Sequence, residues 1–140
     1  MGRAESSPSA LVREFIARCN AGDPWSLLSD RVIVTVNGTT PLSGRYPGIP
    51  LIRGILLDSA RVVIASLDIG ISKIICAGTR VATLMCLSGR NSAGTPFNTE
   101  GRLCGCVFTV DAGLIHEVTL FPDTSLIEIA LYHRRYVSDV

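Results

Sequence analysis

Glu100 and Arg102 are the first pair of side chains whose types and spacing could carry acid or base chemistry. They are two residues apart in the string NTEGRL, and the strand predicted over 96–110 places both on one face. If that face lines a pocket, Arg102 would bind an anion or hold Glu100 ionised, and Glu100 could act as a base. If it faces water, the two form an exposed ion pair at the surface or rim, which is the interpretation we prefer.

Asp123 and His116 are two further candidates for proton transfer. Asp123 follows the last predicted strand, where it could cap a terminal helix or, alternatively, serve as a base in a pocket. His116 lies in the string LIHEV, and a neutral imidazole is a good acid or base near neutral pH. Because no carboxylate partner for it is visible in the sequence, packing or exposure explains His116 more simply.

The cysteines raise the question of a metal site. The chain has five of them, each inside an apolar run: Cys19, Cys76, Cys86, Cys104 and Cys106. This odd number, without an export signal, indicates reduced thiols that pack as small hydrophobic side chains. The C-x-C at 104–106 could be half of a metal site, but zinc needs about four ligands and only His116 and His133 are available elsewhere. We therefore expect core packing, with no metal and no cofactor.

Periodic apolar patterns place these residues on a set of helices and strands. Apolar residues at helical spacing predict a first helix that ends near Cys19 and is capped by Ser7 or Ser9. The later elements are predicted as a short helix from Asp23-Pro24, a strand over Arg31–Val36, a helix over Leu51–Leu67, strands over Ile71–Ala77, Arg80–Gly89, Pro96–Val110 and Leu114–Phe121, and a terminal helix from Ser125 to about His133. Short connections predict antiparallel pairing, hence an α+β fold whose curved sheet leaves a mouth suited to a small molecule.

Length and composition limit the class of protein. With 140 residues, of which 47% are hydrophobic and 18% charged, the chain is expected to form a single globular domain over 1–140, with 1–8 as a flexible N-terminal segment. No apolar run approaches the roughly 20 residues of a membrane helix, and MGRAESSPSA lacks the apolar core of a signal peptide. Basic and acidic residues, 13 against 12, are scattered. We expect a cytoplasmic protein that binds neither membrane nor nucleic acid.

Four strings are more informative by their order and spacing than any one of them is alone. They are LLSDRVIVTVNGTTPLSGRYPG at 27–48, GTPFN at 94–98, VFTVDAGLIHEV at 107–118 and LFPDT at 120–124. Together they resemble the SnoaL-like, ketosteroid-isomerase-like branch of the NTF2-like superfamily, over about residues 9–132. The resemblance implies a cone in which a curved antiparallel β-sheet packs around N-terminal helices and encloses an apolar pocket. It also implies isomerase, cyclase, hydrolase or dehydratase chemistry, although some members only bind ligands or proteins.

The resemblance adds three candidate pocket residues to Arg102. Tyr46 is similar to the family's tyrosine at the edge of the cup, where a phenol could donate to an oxyanion. Trp25 is similar to the aromatic residue that lines the same region, and core packing accounts for both equally well. Asn37 could bond a ligand, though Asn-Gly is also what a turn requires.

The steroid isomerases of this family use two aspartates, one as a base and one as a protonated donor. The resemblance places Thr35 at the first position and Gly105 near the second, so both carboxylates are absent. Thr cannot shuttle a proton at neutral pH as a carboxylate can. We therefore predict an isomerase, cyclase or hydrolase type of enzyme that acts on a small apolar molecule without this carboxylate pair. The alternative is a non-catalytic ligand-binding or association module of the same fold.

A homodimer through the sheet is also expected. It follows from the resemblance and from apolar strand residues that would leave one face of the sheet in need of cover. The residues predicted on the sheet faces are Ile74, Cys76, Val81, Thr83 and Met85.

Overall fold

The computed structural model describes residues 7–134. In chain order its elements are α1 (Pro8–Ala21), a 3-10 turn (Trp25–Leu27), β1 (Leu28–Val36), β2 (Gly44–Pro47), α2 (Ile49–Leu51), a π-helical turn (Ile52–Leu57), α3 (Asp58–Val63), β3 (Ile64–Ala77), β4 (Arg80–Asn91), β5 (Pro96–Phe97), β6 (Leu103–Asp111), β7 (Leu114–Phe121), α4 (Thr124–Leu126) and a second π-helical turn (Ile127–Leu131). We call the continuous helical segment 49–63 the cover helix, and segment 124–131 the closing helix.

Helix α1 begins at one of the two predicted caps. Ser7 Oγ accepts a hydrogen bond of 3.1 Å from the backbone N–H of Ala10, and Gly22, with φ 90°, ends the helix in the left-handed conformation. Ser7 is thus confirmed as the cap. Pro8 is the first helical residue, so neither belongs to the flexible segment predicted over 1–8, and the remaining part of that prediction, 1–6, lies outside the described residues.

The strands form one curled, mixed sheet in the order β2-β1-β7-β6-β4-β3, with β5 paired to β4. The pairs are antiparallel except for β1 and β7, which run parallel, with Val34 opposite Val118. The prediction of an entirely antiparallel sheet is therefore wrong at this one pair. Short connections impose antiparallel pairing on sequential strands, whereas β1 and β7 are separated by most of the chain and no hairpin constrains them.

Several predicted elements differ from the structure. The cover helix ends at Val63 and β3 begins at Ile64, because the β-branched run Val62-Val63-Ile64 favours the extended backbone. The strand predicted over 96–110 is two strands separated by a loop at 98–102, which contains two residues of positive φ, Asn98 and Gly101. The short strand β2 was not predicted.

Two clusters of buried side chains hold the helices on the sheet. In the first, α1 packs on the inner face through Val12 and Phe15, and the Phe15 ring meets Phe108 edge-on with centroids 5.9 Å apart. The second cluster joins the cover and closing helices, with Val63 and Leu131 buried against Phe97. The space between the two clusters is where a site can form.

The residues predicted on the sheet faces differ in burial. Val81, Thr83 and Met85 are buried on the inner face, since alternate side chains of a strand point to opposite sides. Ile74 also packs against the core, whereas Cys76 is exposed. The outer face instead presents Ile75, Leu84 and Phe121, which are 61%, 42% and 50% exposed.

Candidate functional site

An apolar cavity of about 310 Å³ lies between the two clusters. Its walls come from α1, β1, the cover helix, the sheet strands and the closing helix, and include Phe15, Trp25, Val34, Leu56, Phe108 and Leu131. Apart from cysteines, the lining residues with polar side chains in the described part of the chain are Asn98, Arg102 and Asp123. The cavity is at the small end of the range for ligand pockets. It offers an apolar body with a single polar end.

Strand register decides which side chains of β1 and β6 face this cavity. Val34 and Val36 line it, so Thr35 points to the other face of the sheet. Likewise Cys104 and Cys106 line it, and Gly105 lies between them. Thr35 and Gly105, which the resemblance places at the two carboxylate positions, therefore do not face the cavity. The lining residues that flank them, Val34, Val36, Cys104 and Cys106, carry no carboxylate either.

Asp123 is both a helix cap and a cavity residue. Its Oδ1 accepts a 3.2 Å hydrogen bond from the backbone N–H of Leu126, which confirms the predicted cap at the start of the closing helix. Its Oδ2 accepts a 3.1 Å bond from Nη1 of Arg102, and the side chain is 25% exposed at the cavity mouth. The same side chain therefore caps the closing helix and lines the cavity.

The 98–102 loop directs Arg102 towards this mouth through the side chain of Asn98. Asn98 Oδ1 accepts the Arg102 backbone N–H at 2.9 Å, and its Nδ2 donates to the carbonyl oxygens of Arg102 at 3.0 Å and Leu87 at 2.8 Å. The residue is buried and has φ 53°, a conformation that Asn tolerates better than most side chains. Sequence reasoning missed Asn98, although an Asn close before a Gly is a signal for a tight turn.

Glu100 lies on the outer side of Arg102. Its Oε2 accepts from Arg102 Nε at 2.9 Å, its side chain is 61% exposed, and it does not line the cavity. The strand predicted for this pair is wrong, but the interpretation of a rim ion pair fits the geometry. The hydrogen bond that Arg102 donates to Glu100, followed by the one that it donates to Asp123, raises the pKa of the Arg102 guanidinium.

Three predicted site residues lie away from the cavity. His116 is on β7, where its Nε2 is 3.1 Å from the backbone oxygen of Asp111. Tyr46 donates its hydroxyl to the carbonyl of Leu42 at 2.9 Å and packs against the first cluster. Asn37 lies in the turn after β1 and its backbone pairs with Leu120 and Ser43. None of the three lines the cavity.

Trp25 lines the cavity. The guanidinium carbon of Arg53, from the cover helix, lies 4.2 Å from the centroid of the Trp25 ring. This cation–π contact joins the cover helix to the 3-10 turn at one side of the cavity.

Three thiols make up part of the wall. Burial raises the pKa of Cys19 to about 12 and also raises the pKa of Cys106, and burial followed by the nearby Cys86 and Asp123 raises the pKa of Cys104. They are therefore protonated at neutral pH and behave as apolar wall. Within residues 7–134, no three His, Cys, Asp or Glu side chains converge on a point where they could hold a metal ion.

Solved structures share this arrangement of a curled sheet around α1. An NTF2-like protein of unknown function from Burkholderia pseudomallei superposes with a TM-score of 0.77 and 16% identity, covering 90% of this chain and 98% of that chain. The chain has the NTF2-like fold. TerC, co-crystallised with polyporic acid, superposes with a TM-score of 0.74 and 18% identity, covering 90% of this chain and 99% of that chain. A loop-truncation variant of IdmH superposes with a TM-score of 0.70 and 19% identity, covering 89% of this chain and 99% of that chain.

Sequence comparisons add nothing to this NTF2-like assignment. No protein-family model matches the chain, and no curated protein sequence does. Of the helices in the described range, none is long and apolar enough to cross a membrane.

Proposed function

We propose that this NTF2-like chain is an enzyme of the isomerase, cyclase or hydrolase type, which moves a proton in a small, mostly apolar substrate. The observation that supports this most is the position of Asp123, a carboxylate at the edge of an otherwise apolar cavity. It distinguishes Asp123 from Glu100 and His116, which lie outside the cavity and are not assigned a catalytic role.

Asp123 has the capacity to accept a substrate proton. Each carboxylate oxygen of Asp123 has two lone pairs. The hydrogen bonds from Leu126 and Arg102 occupy one lone pair on each oxygen, so that one lone pair on each is left. The same bonds hold the carboxylate in a fixed position, which general base catalysis requires. Trp25 and Phe15 would hold the apolar part of the substrate and keep water away from the reacting atoms.

The proposed substrate class is a small organic molecule with one polar group. The cavity walls fit an apolar body, and Arg102 with Asp123 would meet the polar group at the mouth. The co-crystal of TerC with polyporic acid supports the use of this fold for an organic ligand.

The test is the exchange of α protons for solvent deuterium in a panel of small cyclic ketones, beginning with 2-tetralone, in D₂O and followed by NMR. Asp123→Asn should lower the enzyme-catalysed rate by about 10²- to 10⁴-fold, the usual contribution of a general base. Asn is as good a helix cap as Asp, so the variant should still fold. Asp111→Asn, at a strand end away from the cavity, is the matched control. Equal rates for Asp123→Asn and the native chain would exclude Asp123 as the base.

The second candidate is a ligand-binding or association module without chemistry. It is supported by the fact that both oxygens of Asp123 already accept bonds from the protein. A compound at about 100 times its Kd should add roughly 2.7 kcal/mol to the free energy of unfolding. A ligand that stabilises the native chain and Asp123→Asn equally, and that neither converts, would favour this alternative.

We further propose that the chain forms a homodimer through the outer face of the sheet. Leu84 lies opposite Gly105, and Gly105 opposite Phe121, so that these residues form one row across three strands. The half-exposed Leu84 and Phe121 give this row an apolar surface that a second copy would cover.

All five cysteines are unpaired, which fits the reducing environment of the cytoplasm.

A further inference from the structure

At the Arg102 end of the cavity, one guanidinium is paired with two carboxylates, those of Glu100 and Asp123. From this we propose that the site selects uncharged ligands over anionic ones, and that Glu100 is the residue that determines this selectivity. The inference rests on the proposed use of the cavity as a ligand site, and it deepens that proposal by naming the charge of the ligand.

The charge balance follows from three side chains at the mouth. Among the cavity-lining residues of the described chain, Arg102 and Asp123 are the charged ones. Glu100 does not line the cavity, but its Oε2 is 2.9 Å from Arg102 Nε, while Asp123 Oδ2 is 3.1 Å from Arg102 Nη1. One guanidinium is therefore shared by two carboxylates. A lone arginine at an apolar pocket would attract an anion, whereas this one is more than neutralised.

A ligand at the mouth meets this shared guanidinium. An anionic group must either approach two carboxylates or displace Glu100 from Arg102, and both raise the free energy of the complex. A neutral hydroxyl or carbonyl group of a ligand does not raise the free energy of the complex in this way. The guanidinium has five N–H groups, more than its two ion pairs use, and Asp123 can accept a further donor. The mouth is thus suited to a neutral polar group that donates and accepts.

The experiment compares two probes that share a naphthalene ring, 2-naphthol, which is neutral at neutral pH, and 2-naphthoate, which is an anion. Their Kd values are measured by titration calorimetry on the native chain, Glu100→Gln and Glu14→Gln. Glu14 is the matched control because it also pairs with an arginine, Arg18, at 2.8 Å, on the exposed side of α1. The quantity of interest is the ratio of the two Kd values within each variant.

In the native chain 2-naphthol should bind more tightly than 2-naphthoate. Glu100→Gln should improve binding of 2-naphthoate relative to 2-naphthol by about four-fold at low ionic strength, the size expected for one screened unit charge about 5 Å away. This gain should disappear in about 1 M salt, where the screening length is about 3 Å. Glu14→Gln should leave the ratio as in the native chain.

The outcomes separate this inference from the proposed function. If 2-naphthol binds and the ratio does not change in Glu100→Gln, or changes as much in Glu14→Gln, the charge selectivity is wrong while the ligand site stands. If neither probe binds to any of the three proteins, both the ligand site and its selectivity are overturned.

Discussion

Arg102 donates from Nη1 to Asp123 Oδ2 over 3.1 Å, and this ion pair connects the 98–102 loop to the end of β7 at the mouth of the cavity. The contact exists because Asn98 holds both backbone polar groups of Arg102. Asn98, the residue that follows β5, thus sets the geometry of the mouth.

Replacing Asn98 should therefore destabilise the chain and release the loop. Asn98→Ala removes the bonds to the Arg102 N–H, the Arg102 carbonyl and the Leu87 carbonyl, so we expect the free energy of unfolding to fall by about 1–3 kcal/mol. Asn98→Gly also loses these bonds but relieves the positive φ, so it should cost less than Asn98→Ala. Urea denaturation of the two variants measures the difference. Equal losses would show that the backbone conformation contributes little.

The capping role of Asp123 can be measured separately from any chemistry. Asp123→Ala should lower the free energy of unfolding by about 1 kcal/mol, because the Leu126 N–H loses its acceptor, whereas Asp123→Asn should change it by only a few tenths. Thermal denaturation at neutral pH tests this. If Asn destabilised the chain as much as Ala, the ion pair with Arg102 rather than the cap would be the stabilising contact.

Buried thiols should make the chain less stable at alkaline pH. Cys19 has a pKa of about 12 in the native state against 9.0 for an exposed thiol, because burial disfavours the thiolate. Above pH 9 the unfolded chain loses this proton while the native chain keeps it. The full stability is thus present below pH 9 and falls as the pH rises, by about 1.4 kcal/mol per pH unit for this one group.

The substitution Cys19→Ala should reduce that slope, which is measured by urea denaturation at several pH values between 9 and 11. Cys76→Ala, at an exposed cysteine, is the control and should leave the slope as in the native chain. An unchanged slope in Cys19→Ala would mean that the Cys19 thiol is not the group responsible.

A charge on the outer face of the sheet should prevent the proposed dimer. Leu84→Lys places an ammonium group in the row that contains Phe121, and desolvating it in an interface is costly. Light scattering at micromolar concentration should give the mass of a dimer for the native chain and of a monomer for the variant. Val62→Lys, at a residue 72% exposed on the cover helix, should remain dimeric. A monomeric native chain would contradict the proposal directly.

Local chemistry made part of the fold and of the site predictable. The cap at Ser7 and the strand over Leu114–Phe121 follow from residue type and alternation, and the structure confirms both. Asp123 was also predictable as a cap, because Asp is a preferred N-cap residue and this one follows a strand and precedes a helical run. In each case the deciding interaction is between residues a few positions apart.

The remaining site features depend on contacts that a sequence pattern does not contain. Whether Thr35 or its neighbours face the cavity depends on register, and one residue reverses the answer. The position of Arg102 depends on a loop closed by Asn98, which interrupts what reads as one long strand. Tyr46 was predicted at the cup edge, but its hydroxyl finds an acceptor in the backbone of Leu42 instead of facing the cavity.

The parallel pairing of β1 with β7 has a consequence for how the chain folds. Strand β1 is synthesised well before β7, and the edge of β1 that pairs with β7 in the finished sheet has no partner until β7 has been made. Contacts between residues so far apart in sequence are slow to form, since the entropy of closing a long loop is lost before the contacts are gained. The apolar strand VIV at 32–34 is therefore exposed during synthesis, and this nascent edge is where aggregation or chaperone binding should begin.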